Sequence, residues 1–304
     1  MTWTKCGRIL DPPSQSGRLV SHAAVPIAEV LERNICRLYY SARDDKNRSH
    51  VTSSLVEFGP TKLTVLSTDP EPLLSPGRPG AFDDSGAMAC WLVSANSRKY
   101  LYYIGWNLGV TVPFRNAVGV AISDDGGASF RKHSEGPILD RDTCDPIFIG
   151  SVCVLIENGT WRMWYVSCVD WVIRNAIPTH RYHIKYAESK DGIRWNRTGI
   201  VAVDFASADE YAISRPCVVR DGRLYRMWYS YRGEAYRIGY AESDDGITWR
   251  RRDGEVGIEA GPEAWDSEML EYPFVFDAGN RRYMFYNGND YGRTGIGLAT
   301  LTTK

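Results

Sequence analysis

Hydrophobic and polar residues alternate along most of the chain, in short stretches rich in aromatic and β-branched residues that end at Gly, Asp or Asn. Alternation with a period of two is typical of β-strands with one buried face. Helical periodicity is almost absent, and the one stretch that allows a short helix, residues 25–33, fits a strand and its turn equally well. The pattern therefore predicts an all-β chain of many short antiparallel strands.

A strand that ends in a pair of aromatic residues recurs five times along the chain. Its last residues are Tyr40, Tyr103, Tyr165, Tyr229 and Tyr286, which are 63, 62, 64 and 57 residues apart. The two most similar units contain AESKDGIRW and AESDDGITW, and each string follows a copy of RMWY. Each unit accommodates about four strands, and four-stranded units with a period of about 60 residues predict a five-bladed β-propeller.

The two ends of the chain complement each other. The fifth unit stops near Leu301 and lacks the turn and aromatic residue that introduce a fourth strand in the middle units. The segment beginning at Trp3 resembles the segments beginning at Trp195 and Trp249. We therefore expect residues 2–9 to supply the outer strand of the fifth blade, which closes the ring and removes an exposed sheet edge. The domain prediction is a single propeller over residues 1–304.

Composition narrows the class of partner. The chain has 304 residues, with 36 Lys and Arg against 37 Asp and Glu, so its formal net charge is −1. This balance predicts neither a nucleic acid nor a membrane as partner. No apolar run approaches the roughly 18 residues that span a bilayer. Seven cysteines without a C-x-x-C pair, and an N-terminus without an apolar leader, predict reduced thiols in a cytoplasmic protein.

Candidate site residues follow from the expected topology. In a propeller, the loops that enter the inner strands and those that leave the second strands open on one face, so a pocket there draws on several blades. The candidates at inner-strand entrances are His22, Asp83, Asp84, Asp145, Arg215, Glu268 and Glu271. The candidates at second-strand exits and in nearby loops are Arg43, Asp44, Trp106, Asn107, Arg115, Trp171, Tyr211 and Arg232. The longest loops, in the second and third units, are expected to wall the pocket.

Two other patterns, an Asp-box segment and a pair of histidines, predict neither a catalytic site nor a metal site. The segment Ser123 to Phe130 fits the Asp-box turn of propellers, and we interpret it as a structural turn on the outer rim. His180 and His183 have no Cys or carboxylate at a metal-ligand spacing, and a strand does not place residues i and i+3 on one face. We therefore expect a pocket-loop or surface role for these histidines and no metal site.

The five units, with acids at their inner-strand entrances, resemble the five-bladed β-propeller glycosidase superfamily. This superfamily includes arabinanases and xylosidases, invertases and levansucrases, and the mannoside phosphorylases. The resemblance covers nearly the whole chain and is more specific for fold than for activity. It implies a small carbohydrate or activated sugar as ligand and a glycoside hydrolase-like enzyme that acts on a glycosidic or sugar-phosphate linkage in a central-channel pocket. It implies no required cofactor, although a cation in the central channel occurs among such proteins.

Arabinanase-like members use three carboxylates from the inner strands of the first three blades, and only part of that pattern is present here. Asp83 or Asp84 matches in the second unit, whereas His22 stands in the first unit and Gly150 and Ser151 stand in the third. The resemblance therefore implies a rearranged site.

One hypothesis for that site is a catalytic set of Asp84, Asp145, Glu271 and His22, with His22 as a base near neutral pH. Arg43 and Arg215 would then hold a carboxylate, a phosphate or sugar hydroxyls. An equal alternative for each acid is a turn cap or an ion pair. The alternative functions are a non-hydrolytic sugar-binding propeller and a sugar transferase or phosphorylase.

Overall fold

The computed structural model describes residues 1–13, 17–59, 63–174 and 176–302. These residues form twenty β-strands, two short 3-10 turns at Asp253–Glu255 and Asp290–Gly292, and no α-helix. Among them there is no helix of the length and apolarity that a membrane crossing requires. The expectation of an all-β chain is confirmed, and residues 25–30 belong to a strand.

The strands pair in antiparallel sets that follow one another along the chain. The first set is β2 (Ser21–Val30), β3 (Ile35–Arg43), β4 (Ser49–Phe58) and β5 (Leu63–Thr68). The second set is β6 (Gly86–Ala95), β7 (Arg98–Leu108), β8 (Phe114–Ser123) and β9 (Arg131–Lys132). The third set is β10 (Phe148–Glu157), β11 (Thr160–Arg174), β12 (Ile177–Ser189) and β13 (Trp195–Val203).

The later sets bring the two ends of the chain together. The fourth set is β14 (Ala212–Asp221), β15 (Leu224–Arg232), β16 (Tyr236–Ser243) and β17 (Arg250–Arg251). The last set is β18 (Glu271–Ala278), β19 (Arg281–Asn287), β20 (Ile296–Leu301) and β1 (Trp3–Leu10). Trp3 lies opposite Leu301, so the N-terminal strand pairs with the C-terminal one. The architecture is propeller-like.

The aromatic residues that recur in the sequence lie in the core. Trp164 and Trp228, each one residue before the last tyrosine of its unit, are fully buried. Tyr39, Tyr102 and Phe285 occupy the same repeat position and are also fully buried. Each such ring removes about 150–250 Å² from water. The repeat therefore encodes one buried aromatic layer that every set of strands contributes to.

The S-x-D-G strings form structural turns at the strand ends. In the third set, Asp191 accepts hydrogen bonds from the backbone N–H groups of Ile193 and Arg194, both at 2.8 Å. The Ser189 hydroxyl accepts one from the N–H of Gly192 at 2.9 Å. Gly192 has a φ of +74°, a left-handed conformation that favours glycine. The Ser189 hydroxyl and one Asp191 oxygen are thus used inside the turn, which supports the structural interpretation of this motif.

Candidate functional site

The inner strands and the loops on one face surround a cavity of about 460 Å³. Cavities of roughly 300–1,000 Å³ are typical of sites for small molecules. Its principal lining residues are His22, Val25, Arg43, Trp106, Phe114, Phe148, Ser151, His180, Tyr182, Ser214, Arg215, Tyr236, Tyr272 and Tyr291. They come from every set of strands. The long connections of the second and third sets contribute Trp106, Phe114, His180 and Tyr182, so they wall the cavity as expected.

The backbone next to the cavity is strained at equivalent points of three inner strands. β-bulges follow Ala24, Ser214 and Glu271. The next residues, Val25, Arg215 and Tyr272, have φ values of +56°, +53° and +53°. This left-handed conformation is uncommon for such residues and costs about 1–3 kcal/mol each. All three residues line the cavity, which is where strain of this kind has a functional meaning.

Aromatic rings form one wall of the cavity. The ring of Phe114 lies 5.7 Å from that of Phe148 and 5.4 Å from that of Trp171. The imidazole of His180 stacks on the Tyr182 ring with their centroids 4.4 Å apart. Flat faces of this type match the apolar C–H face of a sugar ring. Trp171 itself stands behind the lining, where it supports Phe114 and Phe148.

Several buried polar atoms of the lining have no protein partner. They are Ser151 Oγ, His180 Nε2, Ser214 Oγ and Arg215 Nε. Buried polar groups nearly always have a hydrogen-bond partner, since an unmet group costs about 1–3 kcal/mol. Four such atoms around one cavity are therefore available to a ligand.

The charge of the lining is positive. Arg43 and Arg215 line the cavity, and among the described residues the lining includes no Asp or Glu. Burial, together with the nearby Arg43 and Arg293, lowers the pKa of His22 to about 4. Burial and Arg232 lower the pKa of His180 to about 4. Both imidazoles are thus uncharged at neutral pH. The lowered pKa makes His22 a weaker base than an ordinary imidazole, and its role as a base stays a prediction.

Arg215 is fully buried at the bottom of the cavity. Its guanidinium donates hydrogen bonds to the backbone carbonyl of Pro26, at 2.8 Å, and to that of Cys90. These carbonyls belong to the first and second sets, so Arg215 joins three sets of strands. No carboxylate forms an ion pair with Arg215 in the described part of the chain.

Glu271 is fully buried and lies next to the lining rather than in it. Tyr182, Tyr236, Tyr272 and Tyr291, which line the cavity, are its neighbours. Neither carboxyl oxygen accepts a hydrogen bond of normal geometry. Burial raises the pKa of Glu271 well above its usual range, which Tyr272 and Arg232 offset only in part. Burial therefore favours the protonated carboxyl over the carboxylate.

Asp145, predicted to be catalytic, lies outside the lining in a buried ion cluster. It accepts hydrogen bonds from Tyr165 at 2.9 Å, Ser167 at 2.6 Å, Lys185 at 3.0 Å and Arg197 at 3.0 Å. With every oxygen occupied, this carboxylate is a structural element of the third set.

The same arrangement recurs in two other sets, which explains the position of Asp83. Asp83 accepts hydrogen bonds from Tyr103, at 3.2 Å, and from Lys132. Asp266 accepts from Tyr286 at 3.2 Å and from Lys5 at 2.7 Å. In all three sets the aspartate precedes its tyrosine by 20 residues. The repeat therefore places these acids to fix the outer strand, and Asp83 is not a residue of the cavity.

Asp84 and Asp44 cap turns, also outside the lining. Asp84 accepts hydrogen bonds from the Gly80 N–H at 2.9 Å and from the Asn107 amide at 2.7 Å. Asp44 accepts from the Arg48 N–H at 2.8 Å and from the His50 ring at 3.1 Å. The catalytic role predicted for Asp84 therefore has no support in the geometry, and the same holds for Asp44 and Asn107 as binding residues.

The other predicted binding residues divide into three groups. Arg43 and Trp106 line the cavity. Tyr211 and Arg232 stand behind the lining, where the Arg232 guanidinium donates to the Tyr291 hydroxyl at 2.6 Å. Arg115 and Glu268 are exposed and lie outside it. Ser151, Ser214, Tyr182, Tyr236, Tyr272 and Tyr291 were not among the predicted site residues, although the first three lie within three residues of positions that the repeat singled out.

Replacing Asp84 with Asn is expected to leave ligand binding unchanged. The turn keeps its size, and the amide oxygen still accepts from Gly80, so the free energy of unfolding falls by about 1 kcal/mol or less. Calorimetric titration with the ligand, beside thermal unfolding of the same variant, measures both effects. A loss of binding without a loss of stability would return Asp84 to the site.

Two proteins of Mycobacterium tuberculosis are similar to this chain over nearly its whole length. MT1551 and Rv1502, uncharacterized proteins of strains CDC 1551 and H37Rv, are each 44% identical to it over 302 residues, covering 99% of both chains. No protein-family model matches the chain. Among the described residues, no group of His, Cys, Asp and Glu is arranged to hold a metal.

Solved structures of similar fold include glycoside hydrolases. BT0996, in a complex with RGII, has a TM-score of 0.75 and 18% identity, covering 98% of this chain and 91% of its own. A glycoside hydrolase has a TM-score of 0.74 and 16% identity, covering 99% and 92%. A thermostable family-43 glycoside hydrolase has a TM-score of 0.68 and 16% identity, covering 97% and 94%. At these identities the similarity establishes the propeller-like glycosidase fold.

Proposed function

The chain belongs to the same family as MT1551 and Rv1502 of M. tuberculosis, and we propose that it is a carbohydrate-active protein that binds a sugar in the cavity. The reaction proposed is transfer at a glycosidic or sugar-phosphate linkage. The observation that carries the proposal is the convergence of unpartnered buried polar atoms on an aromatic-walled cavity. Rings that stack on a sugar face and polar atoms that meet its hydroxyls are what sugar binding needs.

The architecture proposed with this function is a single domain over residues 1–304. We interpret the five strand sets as five blades, with the ring closed by β1. The pairing of β1 with β20 supports the closure. The cavity, to which every set contributes, supports a common central channel.

The proposed chemistry differs from ordinary hydrolysis. A hydrolase needs two carboxyl groups on either side of the bond, about 5–9.5 Å apart. The described lining offers none, and Glu271 lies next to the lining with both tyrosines of a hydrogen-bonded pair, Tyr182 and Tyr236, as neighbours. In this proposal Glu271, when protonated, supplies the proton to the leaving group. The attacking group then comes from a second ligand, which favours a transferase or phosphorylase.

A second candidate is a sugar-binding protein without turnover. The absence of any Asp or Glu from the described lining favours it. Incubation of the protein with a bound sugar and with phosphate or an acceptor sugar separates the two candidates, because only the enzyme releases a product.

A ligand screen tests the sugar-binding proposal. Purified protein is heated with neutral oligosaccharides, monosaccharides, sugar phosphates and nucleotide sugars. A ligand at about 100 times its dissociation constant adds about 2.7 kcal/mol to the free energy of unfolding, so its midpoint rises visibly. A screen without any such shift would refute the proposal.

Ser151→Ala and Thr52→Val form a matched pair of variants for testing where a ligand identified by the screen binds. Both hydroxyls are buried without a partner, but only Ser151 lines the cavity. Each variant should therefore keep its stability. We expect Ser151→Ala to weaken binding about 3–10-fold, the value of one ordinary hydrogen bond, and Thr52→Val to leave binding unchanged. Equal binding by both variants would place the ligand elsewhere.

A further inference from the structure

Among the described residues, the buried Asp, Glu, Lys and Arg side chains are paired with an opposite charge, with two exceptions. The buried Asp, Glu, Lys and Arg side chains that have an oppositely charged partner are Asp44, Asp83, Asp145, Arg162, Lys185, Glu210 and Asp266. Within the described residues, the exceptions are Arg215 and Glu271. Both lie at the cavity, and burial favours the protonated, neutral form of Glu271. The Arg215 guanidinium has no carboxylate in an ion pair with it among the described residues.

A buried cation without an anionic partner is energetically costly. The other buried charges named above each have an oppositely charged partner. Backbone carbonyls of Pro26 and Cys90 occupy part of the Arg215 guanidinium, but its Nε–H has no acceptor. The Arg215 backbone has a left-handed φ of +53° beside the cavity. A ligand in the cavity could therefore supply the hydrogen-bond acceptor that the protein does not give to this N–H group.

A second unpaired arginine faces the same cavity. Arg43 lines it and donates to the side-chain oxygen of Asn47 at 2.8 Å, and none of the described carboxylates forms an ion pair with it. Arg293 is near both Arg43 and His22 and also has no ion pair among the described residues. His22 and His180 are uncharged and do not change the net charge of the site. The site therefore carries an excess of positive charge in a half-buried setting, where charge-assisted hydrogen bonds are strong.

We propose that Arg43 and Arg215 bind an oxyanion carried by the sugar, a phosphate or a carboxylate, so that the ligand is an anionic sugar. The planar guanidinium of Arg43 matches either anion in bidentate geometry, and Arg215 offers its unpartnered Nε–H. The aromatic wall holds the ring, and the arginines hold its charged substituent. This inference rests on the proposed sugar-binding function and names the class of sugar.

Calorimetric titration of the full-length chain tests it with matched ligands. The probes are hexose 1-phosphates, hexuronates, the neutral parent hexoses and inorganic phosphate. We expect at least one anionic sugar to bind about 10-fold or more tightly than its neutral parent. The affinity should fall as salt is raised, because salt screens the attraction. A phosphate substituent and a carboxylate substituent are distinguished by which of the two series binds.

Variants of the arginines locate the anion. Arg43→Gln should weaken binding of the anionic sugar about 10–100-fold and leave the neutral parent unchanged, and Arg43→Lys should restore part of the affinity. Arg115→Gln, which removes an exposed charge outside the lining, should change neither. Arg215→Lys, which keeps the charge but loses the fork, should weaken the anionic sugar alone, and its thermal unfolding shows whether it folds.

Three results overturn the inference. Equal binding of anionic and neutral sugars would refute it while the sugar-binding proposal stands. Equal effects of Arg43→Gln and Arg115→Gln would remove Arg43 from the anion site. Tight binding of inorganic phosphate with a neutral sugar would place the anion on a separate ligand. Binding of no sugar of either kind would instead refute the proposed function itself.

Discussion

Replacing Asp145 with Ala is expected to lower the free energy of unfolding by about 3–5 kcal/mol, the usual cost of removing one partner of a buried ion pair. The change would leave Lys185 without its carboxylate inside the protein, and it would remove an acceptor from Arg197, Tyr165 and Ser167. If Asp145 were catalytic, its loss would instead abolish turnover in a protein of normal stability.

Urea unfolding measures this effect, and Asp140→Ala is its matched control. Asp140 lies in the same segment but is half exposed, with Arg141 3.8 Å away, so its loss should change the free energy by less than about 0.5 kcal/mol. Should Asp145→Ala fail to fold, Asp145→Asn, which keeps the shape, gives the measurable value. Normal stability with lost ligand binding would show that Asp145 belongs to the site after all.

The fold could be predicted from the sequence because the repeat encodes burial. Trp164 and Trp228 recur at one position and are buried at one position, and the turn at Gly192 needs the glycine that marks it. The pairing of Trp3 with Leu301 follows from the strand that the last unit lacks. Each of these features is local or periodic, so a sequence pattern can represent it.

The site could be predicted only in part, because bulges and loops decide which side chains meet. Ala24, Ser214 and Glu271 pair with the residue directly after the last tyrosine of their units, so Val25 is the residue of the first set that is equivalent to Arg215 and Tyr272. Aligning the sequence repeats pointed to His22, which also lines the cavity and has a φ of +61°. His180 and Tyr182 reach the cavity through the extension of β11 and β12, a path that no periodicity describes.

The positions of Asp and Glu in the sequence were a poor guide to the site, because the sequence does not show which partners each carboxylate has. Asp83, Asp145 and Asp266 stand at a constant distance before a buried tyrosine, as candidate catalytic residues would. Their basic partners lie on the outer strands, far away in sequence, and only the structure shows that each carboxylate is occupied. The unpaired Arg215 and Glu271 stand 14 and 15 residues before their tyrosines, and only the structure shows that they lack the charged partner that these aspartates have.

Glu271→Gln is expected to stabilise the protein at neutral and alkaline pH and to remove its proposed activity. The raised pKa means that the folded state keeps a proton that the unfolded state releases above about pH 4.3. The wild-type protein therefore loses stability as pH rises, by at most about 1.4 kcal/mol per pH unit, until the folded-state pKa is reached. Glutamine has the same shape and no proton to lose, so the variant escapes that loss.

Unfolding midpoints of the two proteins over a pH series measure this effect, with the exposed Glu268→Gln as control. The advantage of Glu271→Gln should be absent near about pH 4 and should grow toward about pH 8, whereas the control should show no such trend. With an active substrate, Glu271→Gln should reduce turnover about 10²–10⁴-fold and abolish the alkaline limb of the pH profile. Parallel stability curves would mean that Glu271 is ionised in the folded protein, and the cavity would then have a negative charge opposite its arginines.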